Sequence, residues 1–187
     1  YESCLQIRKD LEKVDSLNFI WQHDLAVTYN KIGVIQQSLG KLTLAEDAYD
    51  FSIKLLSRLA DSDASNSIWK DELAVSYNLR GDLEKTRDNF GAAIYFYESS
   101  LKLREKLVSF DSTNADWQYS LGLIYSNIGL IHMKSKEYTS AVNYFRLAIA
   151  TLNPIVQKYP DNSAWNDSLN LSYFFLGDVQ KEIGDAT

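Results

Sequence analysis

The sequence predicts an all-α protein built from tandem pairs of helices, and three observations carry the prediction. All four tryptophans, Trp21, Trp69, Trp117 and Trp165, fall at one spacing (69−21, 117−69 and 165−117 are each 48). Other columns move with them: Leu25, Leu73, Leu121 and Leu169; Tyr29, Tyr77, Tyr125 and Tyr173; Gly33, Gly81, Gly129 and Gly177. Repetition at a fixed period marks an architecture of stacked units. Within a unit the apolar steps are helical, since Trp21, Leu25, Tyr29 and Ile32 advance by 4, 4 and 3 residues. The third observation is the near absence of helix breakers, with only Pro154 and Pro160 in 187 residues.

The elements follow in order. "YESCLQIRKDL" from Tyr1 is the same text as "YESSLKLREKL" from Tyr97, so residues 1–17 read as the second helix (helix B) of a preceding repeat. Repeats then occupy 18–65, 66–113 and 114–161, and 162–187 reads as the first helix (helix A) of a further one. The expectation is a single array over 1–187 with eight helices, cut in mid-repeat at both ends and thus a piece of a larger protein. Each repeat opens on Asn18, Asn66, Asn114 or Asn162, three residues before its tryptophan. There an asparagine oxygen can meet an orphan amide of the first helical turn. Helix A is expected to run about 21 residues and helix B about 19, each roughly 30 Å long.

Between them lies a short turn, Leu39–Leu42 in the first repeat, after which Thr43 and Glu46 have capping-box spacing. Helix B carries Leu44, Ala48, Phe51 and Leu55 on one face, and Pro154 should kink or end its third copy. A mid-helix glycine costs about 1 kcal/mol relative to alanine, yet one column is glycine four times. Close approach of two helix backbones would explain it, with Ala45, Ala93 and Ala141 facing the notch. Arg80 breaks its own column, where Ile32, Ile128 and Leu176 stand elsewhere. Either its guanidinium reaches an edge or the packing differs locally.

These columns resemble the tetratricopeptide repeat family, whose W-x2-L-G-x2-Y, A-x3-F, P pattern appears as Tyr29-x2-Ile32-Gly33 and Ala45-x3-Tyr49, and as Tyr125-x2-Ile128-Gly129 and Ala141-x3-Phe145. The unit departs from the family in being 48 residues long instead of about 34. Its second tyrosine is replaced by Gln36, Glu84, His132 and Gln180, and Lys9, Ser57 and Glu105 stand at the closing proline. Long units of this kind look like those of kinesin light chains and bacterial multidomain signalling proteins. The resemblance implies a right-handed α-solenoid whose A helices line a concave surface.

It also implies that residues after the repeated tyrosine point into that surface: Asn30 and Lys31, Asn78, Asn127, Phe174 and Phe175, with Lys85 further along. Asparagines there could grip a peptide backbone through donor and acceptor together, or could serve neighbouring helices instead. Phe174 and Phe175 could form an apolar pocket or contact a following repeat. The Lys and Asn set of the family's two-carboxylate clamp is not found.

Composition narrows the rest. The net charge of −6 gives no basic footprint for nucleic acid or an anionic membrane. No apolar run has the length of a membrane span. The single cysteine, Cys4, cannot close an internal disulfide, which fits a reducing, cytoplasmic setting. His23 and His132 occupy different columns, no glycine-rich phosphate loop occurs, and no nucleophile has a base at a persuasive spacing. The expectation is a protein without cofactor or metal that is not an enzyme. Its function would be to bind a protein or extended peptide along the A-helix groove. The alternatives are a regulatory or sensor arm of a larger multidomain protein, or an assembly spacer.

Overall fold

The computed structural model describes residues 18–185. These form seven α-helices and no strand: α1 (Phe19–Ser38), α2 (Leu42–Ser62), α3 (Ser67–Thr86), α4 (Phe90–Phe110), α5 (Ala115–Lys134), α6 (Tyr138–Lys158) and α7 (Ser163–Asp185). The count is seven and not the expected eight, because the helix assigned to residues 1–17 lies outside the described residues, as do Cys4 and Thr187. The chain divides into two compact units that part between Leu103 and Arg104, within α4.

Local chemistry sets the helix ends. Asn18, Asn66, Asn114 and Asn162 cap α1, α3, α5 and α7, each Oδ1 accepting from the backbone amide of the following tryptophan at 3.1–3.2 Å. The opposite end of α1 closes in a Schellman arrangement, with Gly40 N–H on the Gln37 carbonyl (3.0 Å) and Lys41 N–H on that of Gln36 (2.9 Å). That closure requires a left-handed residue, Gly40 at φ 72°, and the same column repeats it with Asp88 (56°) and Lys136 (60°). The capping-box reading of Thr43 does not hold. α2 already begins at Leu42, its N-cap is Lys41, and no side chain caps it.

In the first unit α1 packs on α2 and α2 on α3. The core between them is Leu25, Ala26, Tyr29, Ala48, Leu55, Leu56, Leu59 and Leu73. Burying each leucine contributes roughly 2 kcal/mol. Leu44 and Phe51, which share one face of α2 with Ala48 and Leu55 by spacing, are half exposed, and Phe51 stacks on Tyr29 at 5.1 Å. The buried stripe of α2 is rotated to Ala45, Ala48, Tyr49 and Ser52. In the second unit α5 packs on α6 and α6 on α7. One core cluster is centred on Leu152, Ile155, Val156 and Leu169, another on Ala141, Phe145 and Val179. Trp69 and Trp165 pack at the core margins, Trp165 stacked on Tyr119 at 5.6 Å. α6 continues past Pro154 to Lys158, so the proline does not end it.

The glycine column has a different partner from the one expected. A Cβ on Gly33 would lie 2.4 Å from the Tyr49 ring, one on Gly81 2.7 Å from the Tyr97 ring, and one on Gly129 3.0 Å from the Phe145 ring. The notch therefore receives an aromatic side chain from helix B, sixteen residues on, and not the small face of Ala45, Ala93 or Ala141. Those alanines are fully buried beside the ring, one helical turn before it.

Candidate functional site

α1 and α3 lie side by side, and the shallow trough between them is the candidate site in the first unit. A cavity of about 390 Å³ is lined by Val27, Asn30, Lys31, Val34, Ile35, Glu72, Val75 and Leu79. A second, of about 550 Å³, continues along the same two helices past Gln37, Asp82, Lys85 and Thr86, sharing Val34 and Leu79. The walls are mainly aliphatic because the positions one turn before and after Asn30 on α1 are valines, and α3 answers with Val75 and Leu79.

The polar groups are few and placed by the fold. Asn30 is buried, and its Nδ2 donates to Ser76 Oγ at 2.8 Å. Ser76 donates onward to the Glu72 carbonyl at 3.0 Å and lies 3.0 Å from Ser52 Oγ, so one hydroxyl ties α1, α2 and α3 together. Asn30 Oδ1 is also buried, and it has no hydrogen-bond partner among the described residues. An unpaired buried carbonyl oxygen costs about 1–3 kcal/mol. Further along the trough, Lys85 pairs with Asp82 at 2.7 Å, and Asp82 accepts from the Tyr97 hydroxyl at 2.7 Å. Tyr49 donates to Gln37 Oε1 at 2.9 Å, and burial, with the Asp82 charge, pushes its hydroxyl up to about 12.

The residues singled out from sequence separate on this surface. Asn30 and Lys31 line the first cavity and Lys85 the second. Asn78 lines neither; its Nδ2 points to Asp82 at 3.3 Å and its Oδ1 is buried and unpartnered. Asn127, Phe174 and Phe175 belong to the second unit. Asn127 is half-buried on α5. Phe175 stacks on Phe145 at 5.8 Å and joins the core, whereas Phe174 is exposed. Val27, Ile35 and Val75 went unnoticed in the sequence. The available signal was the helical neighbourhood of Asn30, read three residues back and on the paired helix.

Arg80 answers the question its column raised. Its guanidinium is buried, bonds Glu84 and Glu46, reaches Asp50 at 3.0 Å, and lies over the Phe96 ring at 4.8 Å. Arg87 closes the cluster on Glu46 (2.8 Å) and Glu84 (3.1 Å), and Asn89 donates to Glu84 at 2.7 Å. Burial alone would raise the Glu84 pKa, but the Arg80 hydrogen bond and charge, with Asn89 and Arg87, hold it below 4.5. Each of these side chains is paired within the cluster, which ties α2 to α3 in this repeat. Among the described residues, no group of three or more His, Cys, Asp and Glu could hold a metal ion. No described helix is long and apolar enough to cross a membrane.

The sequence profile of the tetratricopeptide repeat matches residues 119–151, the copy that also carries Ala141-x3-Phe145. No curated protein matches the chain. Among solved structures, BtubC (BKLC) from P. vanneervenii is similar at 18% identity, over 97% of this chain and 80% of that one, with a TM-score of 0.58. MamA is matched at 16% identity over 97% of this chain and 89% of its own, but with a TM-score of only 0.41. The first of these shows a shared fold; the second is too loose to carry an argument. Residues 119–151 thus resemble one tetratricopeptide repeat, and the chain shares its fold with BtubC. Such repeats suggest a protein-interaction scaffold, and the fold is generally non-catalytic.

Proposed function

We propose that this chain is a non-enzymatic scaffold that binds an extended peptide segment in the trough between α1 and α3. The observation that carries the reading is a mainly aliphatic cavity whose lining includes Asn30, a residue with a buried acceptor, Oδ1, that has no partner among the described residues. A peptide N–H is the group that would satisfy it, while aliphatic side chains of the same segment fill the space beside Val34, Val75 and Leu79. Lys31 and Glu72 at the rim, with the Asp82–Lys85 pair further on, would set the direction of the bound chain. Asn30 then has two roles at once, since its Nδ2 already serves Ser76. For that reason truncating Asn30 disturbs the fold, and a cleaner test fills the trough.

Peptides selected from a random phage-displayed library against the chain should lose at least about tenfold in affinity on Val34→Trp, a difference of roughly 1.4 kcal/mol. The far-ultraviolet circular dichroism should not change, because Val34 is exposed. Selected peptides that bind Val34→Trp as well as the parent chain, or a library that returns none, would contradict the reading.

A further inference from the structure

The trough between α1 and α3 holds two charges that the protein itself leaves unanswered. Lys31 on α1 and Glu72 on α3 line the first cavity from opposite walls, and neither forms an ion pair with the other or with any other described residue. The next charges along the trough differ: Lys85 pairs with Asp82 at 2.7 Å, and Asp82 also accepts from the Tyr97 hydroxyl at 2.7 Å. The first cavity therefore offers an unpaired cation and an unpaired anion across mainly aliphatic walls.

Their spacing defines what would answer both. Asn30 bonds Ser76 and Gln37 bonds Thr86, so α1 and α3 run parallel, with residues 46 to 49 apart in the chain at one level. Lys31 thus stands about five to eight residues along the trough from Glu72, or roughly 8–12 Å at ~1.5 Å per residue. An extended peptide advances ~3.3 Å per residue and turns alternate side chains to opposite sides. Two side chains that reach opposite walls are an odd number of residues apart, and three residues cover about 10 Å. Val27 and Val75 lie between the two charges, one on each wall. We propose that the trough selects an extended segment with an acidic and a basic residue three positions apart and two aliphatic residues between them, the acid on Lys31 and the base on Glu72. The order of the two charges along the segment sets the direction in which it lies. The inference rests on the peptide-binding reading above and adds the sequence class of the peptide.

A random phage-displayed peptide library, panned at about 10 mM salt where the screening length is about 30 Å, tests the proposal. Peptides selected on the parent chain should carry Asp or Glu three positions from Lys or Arg. On Lys31→Glu the same library should return two basic residues at that spacing, and on Glu72→Lys two acidic ones. Both side chains are at least partly exposed, so neither variant should change the helical content. A synthetic peptide selected on the parent chain should lose at least about threefold in affinity on Lys31→Glu, and regain it when its own acidic residue is replaced by lysine. Raising the salt to about 150 mM should shrink that loss. Peptides that lose affinity on Val34→Trp yet bind Lys31→Glu and Glu72→Lys as tightly as the parent chain would overturn this inference and leave the trough reading standing. Peptides indifferent to Val34→Trp, or a library that returns none, would overturn both.

Discussion

The Tyr49 ring sits where Gly33 would otherwise carry a side chain, and that single contact explains why the repeat tolerates a helix-weakening residue. Tyr49 is fully buried and its hydroxyl is tied to Gln37, so the ring cannot swing aside for a methyl group. Gly33→Ala should therefore lower stability by about 1–3 kcal/mol through overpacking. Gly177→Ala, in open space, should raise it by about 1 kcal/mol through helix propensity. Chemical denaturation in dilute solution would compare the two, and equal shifts would mean the ring is not the cause. At Arg80, Arg80→Ile installs the residue of Ile32 and Ile128 but takes one of its two cations from the buried Glu84 carboxylate, leaving Arg87 and Asn89. It should lower stability by less than the ~3–5 kcal/mol of a fully unpaired buried charge, and adding Glu84→Gln, which copies Gln36, should recover most of the loss.

The same pair fixes a pH dependence. Glu84 has a folded pKa below the ordinary 4.5, against the effect of its burial, because Arg80 bonds and attracts the charged form. Its contribution is complete above pH 4.5 and is lost as the pH falls through the folded value. Thermal melts from pH 6 to pH 3 should show a steeper acid fall for the parent chain than for the Arg80→Ile, Glu84→Gln double variant.

At the scale of the element, helix starts are of two kinds. α1, α3, α5 and α7 begin on an asparagine that accepts from the tryptophan amide, while α2 and α6 begin without a side-chain cap. Asn66→Ala should lower stability by about 1 kcal/mol, whereas Thr43→Ala should be within about 0.5 kcal/mol of the parent. A comparable loss at Thr43, read by the shift in melting midpoint, would restore the capping box that the geometry denies. The asparagine caps were legible because a cap is local: the residue and the amide it serves are three positions apart. Thr43 misled because the helix had already started one residue earlier, and nothing in the local text marks that start.

For the whole molecule, packing runs between neighbours along the chain, α1 to α2 to α3 in one unit and α5 to α6 to α7 in the other. Contacts of that kind make stability a sum of repeat terms and nearest-neighbour terms, and they are why a period of 48 could be translated into helix pairs directly. The period, the four caps, the turn column and the helix type were determined by the sequence alone, since each depends on residues within a turn or two of one another. What entered the glycine notch, why Arg80 could be buried, and which acceptor in the trough was left without a donor were decided only by the tertiary structure. Those features join side chains from different helices, and the rotation of each helix about its axis, invisible to a spacing, selects which of them meet.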